Sequence, residues 1–157
     1  CMHNGGNLLL NIGPLADGSV THEEQALLEG VGGWVRRNRE AVFVTRPNPF
    51  QYCDRKLSCY RDRTAYVALS WYHGPETVLA GIGNQVLRAR LLPDGRAVAF
   101  QQCADRIRLT GLPLARPDVL PVVALDLDGD PRGIPNPYAC GAEPPPRDPP
   151  APVAQGE

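Results

Sequence analysis

A chain of 157 residues has room for one domain, or for one small domain with part of another. Its 43% hydrophobic content and formal charge of −1 fit a soluble globular protein and exclude a strongly basic nucleic-acid binder. No apolar run reaches the roughly 18 residues needed to span a bilayer, and no polybasic block is available for an anionic membrane, so neither partner class is expected.

In chain order, residues 4–13 read as a strand. The run Leu8-Leu9-Leu10-Asn11-Ile12 is apolar, short and bounded by glycines, which suits a strand buried on both faces of a parallel sheet. Pro14, Asp17 and Gly18 mark a turn. A helix follows: Thr21 is an N-cap, and Glu24 three residues later completes a capping box. Leu27, Leu28, Val31, Trp34 and Val35 form one apolar stripe at helical spacing. Gly30, Gly32 and Gly33 predict close packing of this helix against a neighbouring backbone. Arg36, Arg37 and Arg39 complement the helix C-terminus and need no ligand. Strand plus helix makes one βα unit. Such a unit cannot bury a two-sided strand alone, so residues 1–47 are expected to need partner strands that the chain does not encode.

The pattern then changes to period two. Residues 64–71, 86–92, 96–102, 105–110 and 121–128 are the expected strands, with 41–45 and 77–80 weaker candidates. Pro93-Asp94-Gly95 is a tight hairpin signal. In Arg106-Ile107-Arg108-Leu109 and Ala124-Leu125-Asp126-Leu127 the alternation predicts one apolar face and one wet face. Residues 48–130 therefore read as an antiparallel β-sandwich. Residues 131–157 are Pro-rich and expected to be disordered. The fold class is mainly β: an antiparallel sandwich preceded by a terminal βα unit.

Chemical motifs are sparse. His3, His22 and His73 lack zinc spacing, and no nucleophile-elbow, dinucleotide or phosphate-loop pattern occurs. No metal or cofactor is expected. Asp126, Asp128 and Asp130 could hold a cation, but a solvated strand end is the plainer reading because the remaining ligands of a calcium loop are missing. Five cysteines without paired spacing make a poor disulfide framework; Cys53 and Cys59 flank a polar loop and could pair, unpaired thiols being the simpler expectation. Trp71, Tyr72 and His73 form one aromatic cluster, read as core filling with a sugar platform as the alternative.

Asn7-Leu8-Leu9-Leu10-Asn11-Ile12-Gly13-Pro14, Asp17-Gly18, Trp34, Asn38, Glu40-Ala41-Val42-Phe43 and Thr45-Arg46-Pro47 together resemble the α-L-fucosidases of glycoside hydrolase family 29. The resemblance implies that this block is the last strand and helix of a (β/α)8-like catalytic barrel, leading into a C-terminal β-sandwich. It also implies fucosylated glycans as the intact protein's substrates and a secreted or vesicular setting. Two positions depart from the family: Arg39 and Val44 stand where glycine is usual, and Arg39 in a left-handed conformation would cost about 1–2 kcal/mol. Retaining hydrolysis needs two carboxyl groups roughly 5–5.5 Å apart. In the family both precede this block, so the chain has no matching nucleophile or acid/base, no catalytic residue is expected, and the segment is expected to be inactive alone. Asn11, at the C-terminal end of the strand, is the one candidate substrate contact on the barrel rim, although tethering local backbone is the more ordinary task of an Asn. The competing reading is a non-catalytic carbohydrate-binding or subunit-contact sandwich.

Overall fold

The computed structural model describes residues 1–50, 57–92 and 94–135. Among the described residues seven strands form two antiparallel sheets: β1 (Leu57–Arg61), β2 (Thr64–Ala68), β3 (Thr77–Ala80), β4 (Val86–Leu92), β5 (Ala99–Cys103), β6 (Arg106–Thr110) and β7 (Val122–Leu127). One sheet has the order β1-β2-β7-β4 and the other β3-β6-β5. Between them lies the main core, with Val67, Leu79, Ile107, Leu109, Val123 and Leu125 fully enclosed.

Strand β1 has no counterpart among the expected elements. Its sequence, Leu-Ser-Cys-Tyr-Arg, lacks clean alternation and draws its order from β2. The register ends at Arg61↔Thr64, leaving Asp62 and Arg63 as the turn. Asp62 takes φ 52°, a left-handed value that a short polar side chain tolerates. The expected strand over residues 96–102 is divided. Val98 N–H donates to Ala89 O at 2.9 Å and Ala97 bridges Arg90, both beside β4. The chain then crosses, and only Ala99–Cys103 pairs, with β6 in the other sheet. The turn before it is tight, as its residues require: Gly95 has φ 70° and Asp94 accepts from Arg96 N–H at 3.0 Å.

Neither face of the larger sheet is wet at its centre, which corrects the expectation for residues 124–127. Tyr66, Ala68, Val122 and Ala124 point away from the main core yet are buried, in a second cluster with Ala41, Cys59 and Leu92. Met2, Trp34 and Leu120 pack against this cluster. Its cover is built by the N-terminal part of the chain. Helix α1 spans His22–Arg37, and after Asn38 a four-residue helix α2 spans Arg39–Val42. The expected strand at 41–45 is therefore absent: Ala41 and Val42 close α2. Ala41, fully buried against the sheet, receives the Cys59 thiol at its carbonyl, 3.2 Å away.

The cap of α1 forms as expected. Thr21 Oγ1 accepts from Glu24 N–H at 3.3 Å, and its hydroxyl donates to Glu24 Oε2 at 3.1 Å. One other expectation for this helix is overturned. Among the described residues nothing approaches the open position of Gly30, Gly32 and Gly33 face only the side chains of Arg36 and Arg37, and no neighbouring backbone packs there. The left-handed residue after the helix is not Arg39, which lies inside α2, but Val44, at φ 59°.

Residues 4–13 form no strand. Leu9 is 93% exposed, and Leu8 and Leu10 are also open to solvent. A strand needs a neighbour for its backbone groups, and none of the seven strands pairs with this segment.

Candidate functional site

Asn11 lies on the exposed segment between Leu10 and Ile12, and the groove there is closed on its other side by Glu24, Leu27, Leu28 and Val31 of α1. Further along, Gly6, Asn7 and Leu8 face Val31, Trp34, Val35, Val42 and Phe43. The segment thus runs along the apolar stripe of the helix without covering it: Leu27 is 70% exposed, and no residue of α1 is fully buried. The loop that follows Asn11 is tied by its own groups. Leu15 N–H donates to Ser19 O at 2.8 Å, and Asp17 Oδ1 accepts from the Ser19 hydroxyl at 2.6 Å, which holds the Asp17 carboxyl below its ordinary range. Glu24 is also held low, first by the Gly13 N–H at 3.3 Å and then by the Thr21 hydroxyl. Helix cap and loop are therefore joined at one carboxylate.

Elsewhere the carboxylates answer to structural partners. Glu40 forms a bidentate pair with Arg90 at 2.6 and 3.0 Å, and the Arg90 hydrogen bond holds its pKa down. Asp118, largely buried, accepts two bonds from Arg37 at 3.3 and 3.1 Å. In the Asp126-to-Asp130 run, Asp126 accepts from Thr64 Oγ1 at 3.0 Å. Asp128 Oδ1 and the Asp130 carbonyl both accept from Asn84 Nδ2, at 2.8 and 3.1 Å. The strand end expected to be solvated is instead tied to the buried Asn84. Among the described residues no three His, Cys, Asp or Glu side chains gather as a metal site would require.

Cys59 is a free, buried thiol whose pKa is pushed up by burial, while Cys53, its suggested partner, lies outside the described residues. A raised pKa makes a poor nucleophile at neutral pH.

The aromatic cluster differs from expectation in a definite way. Tyr72 turns inward against the main core, and its hydroxyl donates to the Pro113 carbonyl. Trp71, expected in the core, is 58% exposed, with its ring 6.3 Å from that of His73 and inclined by 32°. Alternation carried on from Ala65, Val67 and Leu69, which face the main core, would put Trp71 inward; the strand ends at Ala68, the parity is lost there, and the inward member is the tyrosine.

Comparison with known proteins supplies the frame for these features. Residues 1–40 match the family model for α-L-fucosidase. Tissue α-L-fucosidase of Mus musculus is 30% identical over 123 residues, which are 75% of this chain and 27% of the mouse protein. The tissue enzyme of Homo sapiens is 37% identical over 83 residues, 52% of this chain and 18% of that protein. The chain thus spans about a quarter or less of these relatives. Among solved structures, α-L-fucosidase isoenzyme 1 from Paenibacillus thiaminolyticus superposes with a TM-score of 0.71 at 25% identity, over 78% of this chain and 31% of that one. The Thermotoga maritima α-fucosidase gives 0.63 at 22% identity, over 76% and 30%.

Proposed function

We propose that this chain, a relative of the glycoside hydrolase family 29 α-L-fucosidases, is the C-terminal part of such an enzyme: a barrel-closing segment and helix braced by a sandwich. The observation that carries this reading is the set of exposed apolar side chains Leu8, Leu9, Leu10, Leu27 and Val31 within the stretch that matches the family model. Leu9, 93% exposed, forgoes roughly 1.5–3 kcal/mol of burial and the partly exposed members less, and earlier strands and helices of a catalytic barrel would recover it. On this reading the upstream barrel is the partner, fucosylated glycans are the substrates of the whole enzyme, and hydrolysis is retaining.

The chain's own residues then do two things. The helix and loop close the barrel, and the sandwich holds the end of α1 through the Trp34 indole, which donates to Leu120 O at 2.9 Å, and through the Arg37–Asp118 pair. Asn11, on the barrel rim, would reach a sugar hydroxyl, with the nucleophile and acid/base contributed upstream. A chimera tests this. Residues 1–135 replace the matching C-terminal quarter of the mouse enzyme, and turnover of an aryl α-L-fucoside is measured beside that of the chain alone. Turnover by the chimera and none by the chain supports the reading. Turnover by the chain alone, or a chimera that folds without activity, sinks it. In the active chimera, Asn11→Ala should lower kcat/KM about tenfold, the usual scale for one lost hydrogen bond to substrate.

A further inference from the structure

We propose that Glu24 is a positioning residue for glycoside hydrolysis: it fastens the backbone just beyond Asn11 to helix α1, so that the Asn11 amide is held where it meets substrate. This rests on the reading of the chain as the closing part of a hydrolase barrel. The carrying observation is a departure within the helix cap. In an ordinary capping box the carboxylate of the third helical residue returns to the N–H of the capping residue itself. Here Glu24 Oε1 accepts instead from the N–H of Gly13, 11 residues earlier in the chain, at 3.3 Å. Its other oxygen, Oε2, accepts from the Thr21 hydroxyl at 3.1 Å. Among the described residues the Gly13 bond is the only hydrogen bond made by residues 7–14.

The loop on the far side of Gly13 is closed by bonds of its own. Leu15 N–H donates to Ser19 O and Gly18 N–H to Leu15 O, both at 2.8 Å, and neither bond reaches the helix. The carboxylate of Glu24 is therefore what joins the Asn11 segment to α1 by hydrogen bonding. It also lines the groove into which Asn11 faces. The Gly13 N–H is the largest influence holding the Glu24 carboxyl below its ordinary range, so the acceptor is ionised at neutral pH. Ile12 alone separates the tether from Asn11, which leaves the Asn11 backbone few free dihedrals. A side chain ordered before the sugar arrives loses less entropy on contact and stays nearer the productive geometry.

Two measurements test it. In the full chain, the Gly13 N–H should exchange with deuterium at least about tenfold faster in Glu24→Ala, and Glu24→Gln, which keeps an acceptor, should hold the original rate. In the active chimera, Glu24→Ala should lower kcat/KM by no more than the roughly tenfold of Asn11→Ala, because a positioning group can lose no more than the contact it positions. Glu24→Gln should retain turnover, and Glu23→Ala, which removes a neighbouring acid not bonded to Gly13, should leave it unchanged. The decisive readout is the cycle with Asn11: Asn11→Ala with Glu24→Ala should be no slower than Asn11→Ala alone. Where Glu24→Ala loses its fold, Glu24→Asp, shorter by one methylene, keeps the charge and is read in the same cycle. A merely structural cap lowers both backgrounds equally, and such additivity in an active chimera overturns the role of Glu24 while the hydrolase reading stands. Unaltered exchange at Gly13 in Glu24→Ala overturns it as well. A folded chimera without turnover removes the hydrolase reading itself, and the substrate role of Glu24 with it, whatever the exchange at Gly13.

Discussion

Val44 is a β-branched residue 86% exposed at φ 59°, so it pays a left-handed backbone cost with little side-chain burial in return. Relief of about 1–2 kcal/mol of strain outweighs the roughly 0.5–1 kcal/mol of extra chain entropy that glycine brings. Val44→Gly should therefore stabilise the protein by about 1 kcal/mol in urea unfolding, and a lower midpoint at unchanged slope would contradict this account. Glu40 offers a test by acid. Its folded pKa is depressed, first by the Arg90 hydrogen bond, so its contribution is present above its ordinary value near 4.5 and fades as pH falls through the depressed one. Glu40→Gln should flatten that acid limb. A double-mutant cycle with Arg90→Ala should show a coupling of about 1 kcal/mol, since the pair is bidentate and only partly exposed; additivity would show that the pair holds nothing.

At the scale of elements, local signals were legible where local chemistry decides the outcome. The Thr21 cap, the turn at Gly95 and the clean alternation of Arg106-Ile107-Arg108-Leu109 all act within a few residues, and each formed. Thr21→Ala should cost about 1 kcal/mol and reduce far-ultraviolet helix signal, because α1 has no fully buried residue to compensate; no loss of helicity would mean that packing, rather than the cap, sustains it. The misreadings occur where tertiary context overrides pattern. Ala41 and Val42 look like the start of a strand, but Ala41 is needed as a small helical contact on the outer face of the sheet. Tyr66 and Ala124 occupy positions that alternation assigns to solvent, and only the cover supplied by α2 and Trp34 makes them interior. For β1, pairing came from its neighbour, so no periodicity announced it. The candidate site was legible as a resemblance carried by residues 7–47; Trp71 was singled out but placed on the wrong side of the surface, because an aromatic residue at a strand end is equally compatible with either face.

For the whole molecule, the exposed stripe of α1 and the open leucines predict a surface that recruits an apolar dye. Leu27→Ser with Val31→Ser should reduce dye fluorescence while leaving the unfolding midpoint within about 0.5 kcal/mol, as expected for positions that bury little; a large loss of stability would show that the stripe is already covered. Strands β2 and β7 stand apart from that surface, enclosed on both sides and central to the larger sheet. The packing of Ala41 and Trp34 on that sheet has a mechanical corollary. Force or strain entering through α1 reaches the sandwich at the Arg90 clamp and the Leu120 carbonyl rather than along a slack tether, so the two halves should melt as one calorimetric event. A substitution deep in β7 would then disturb the geometry of a helix far from it in sequence.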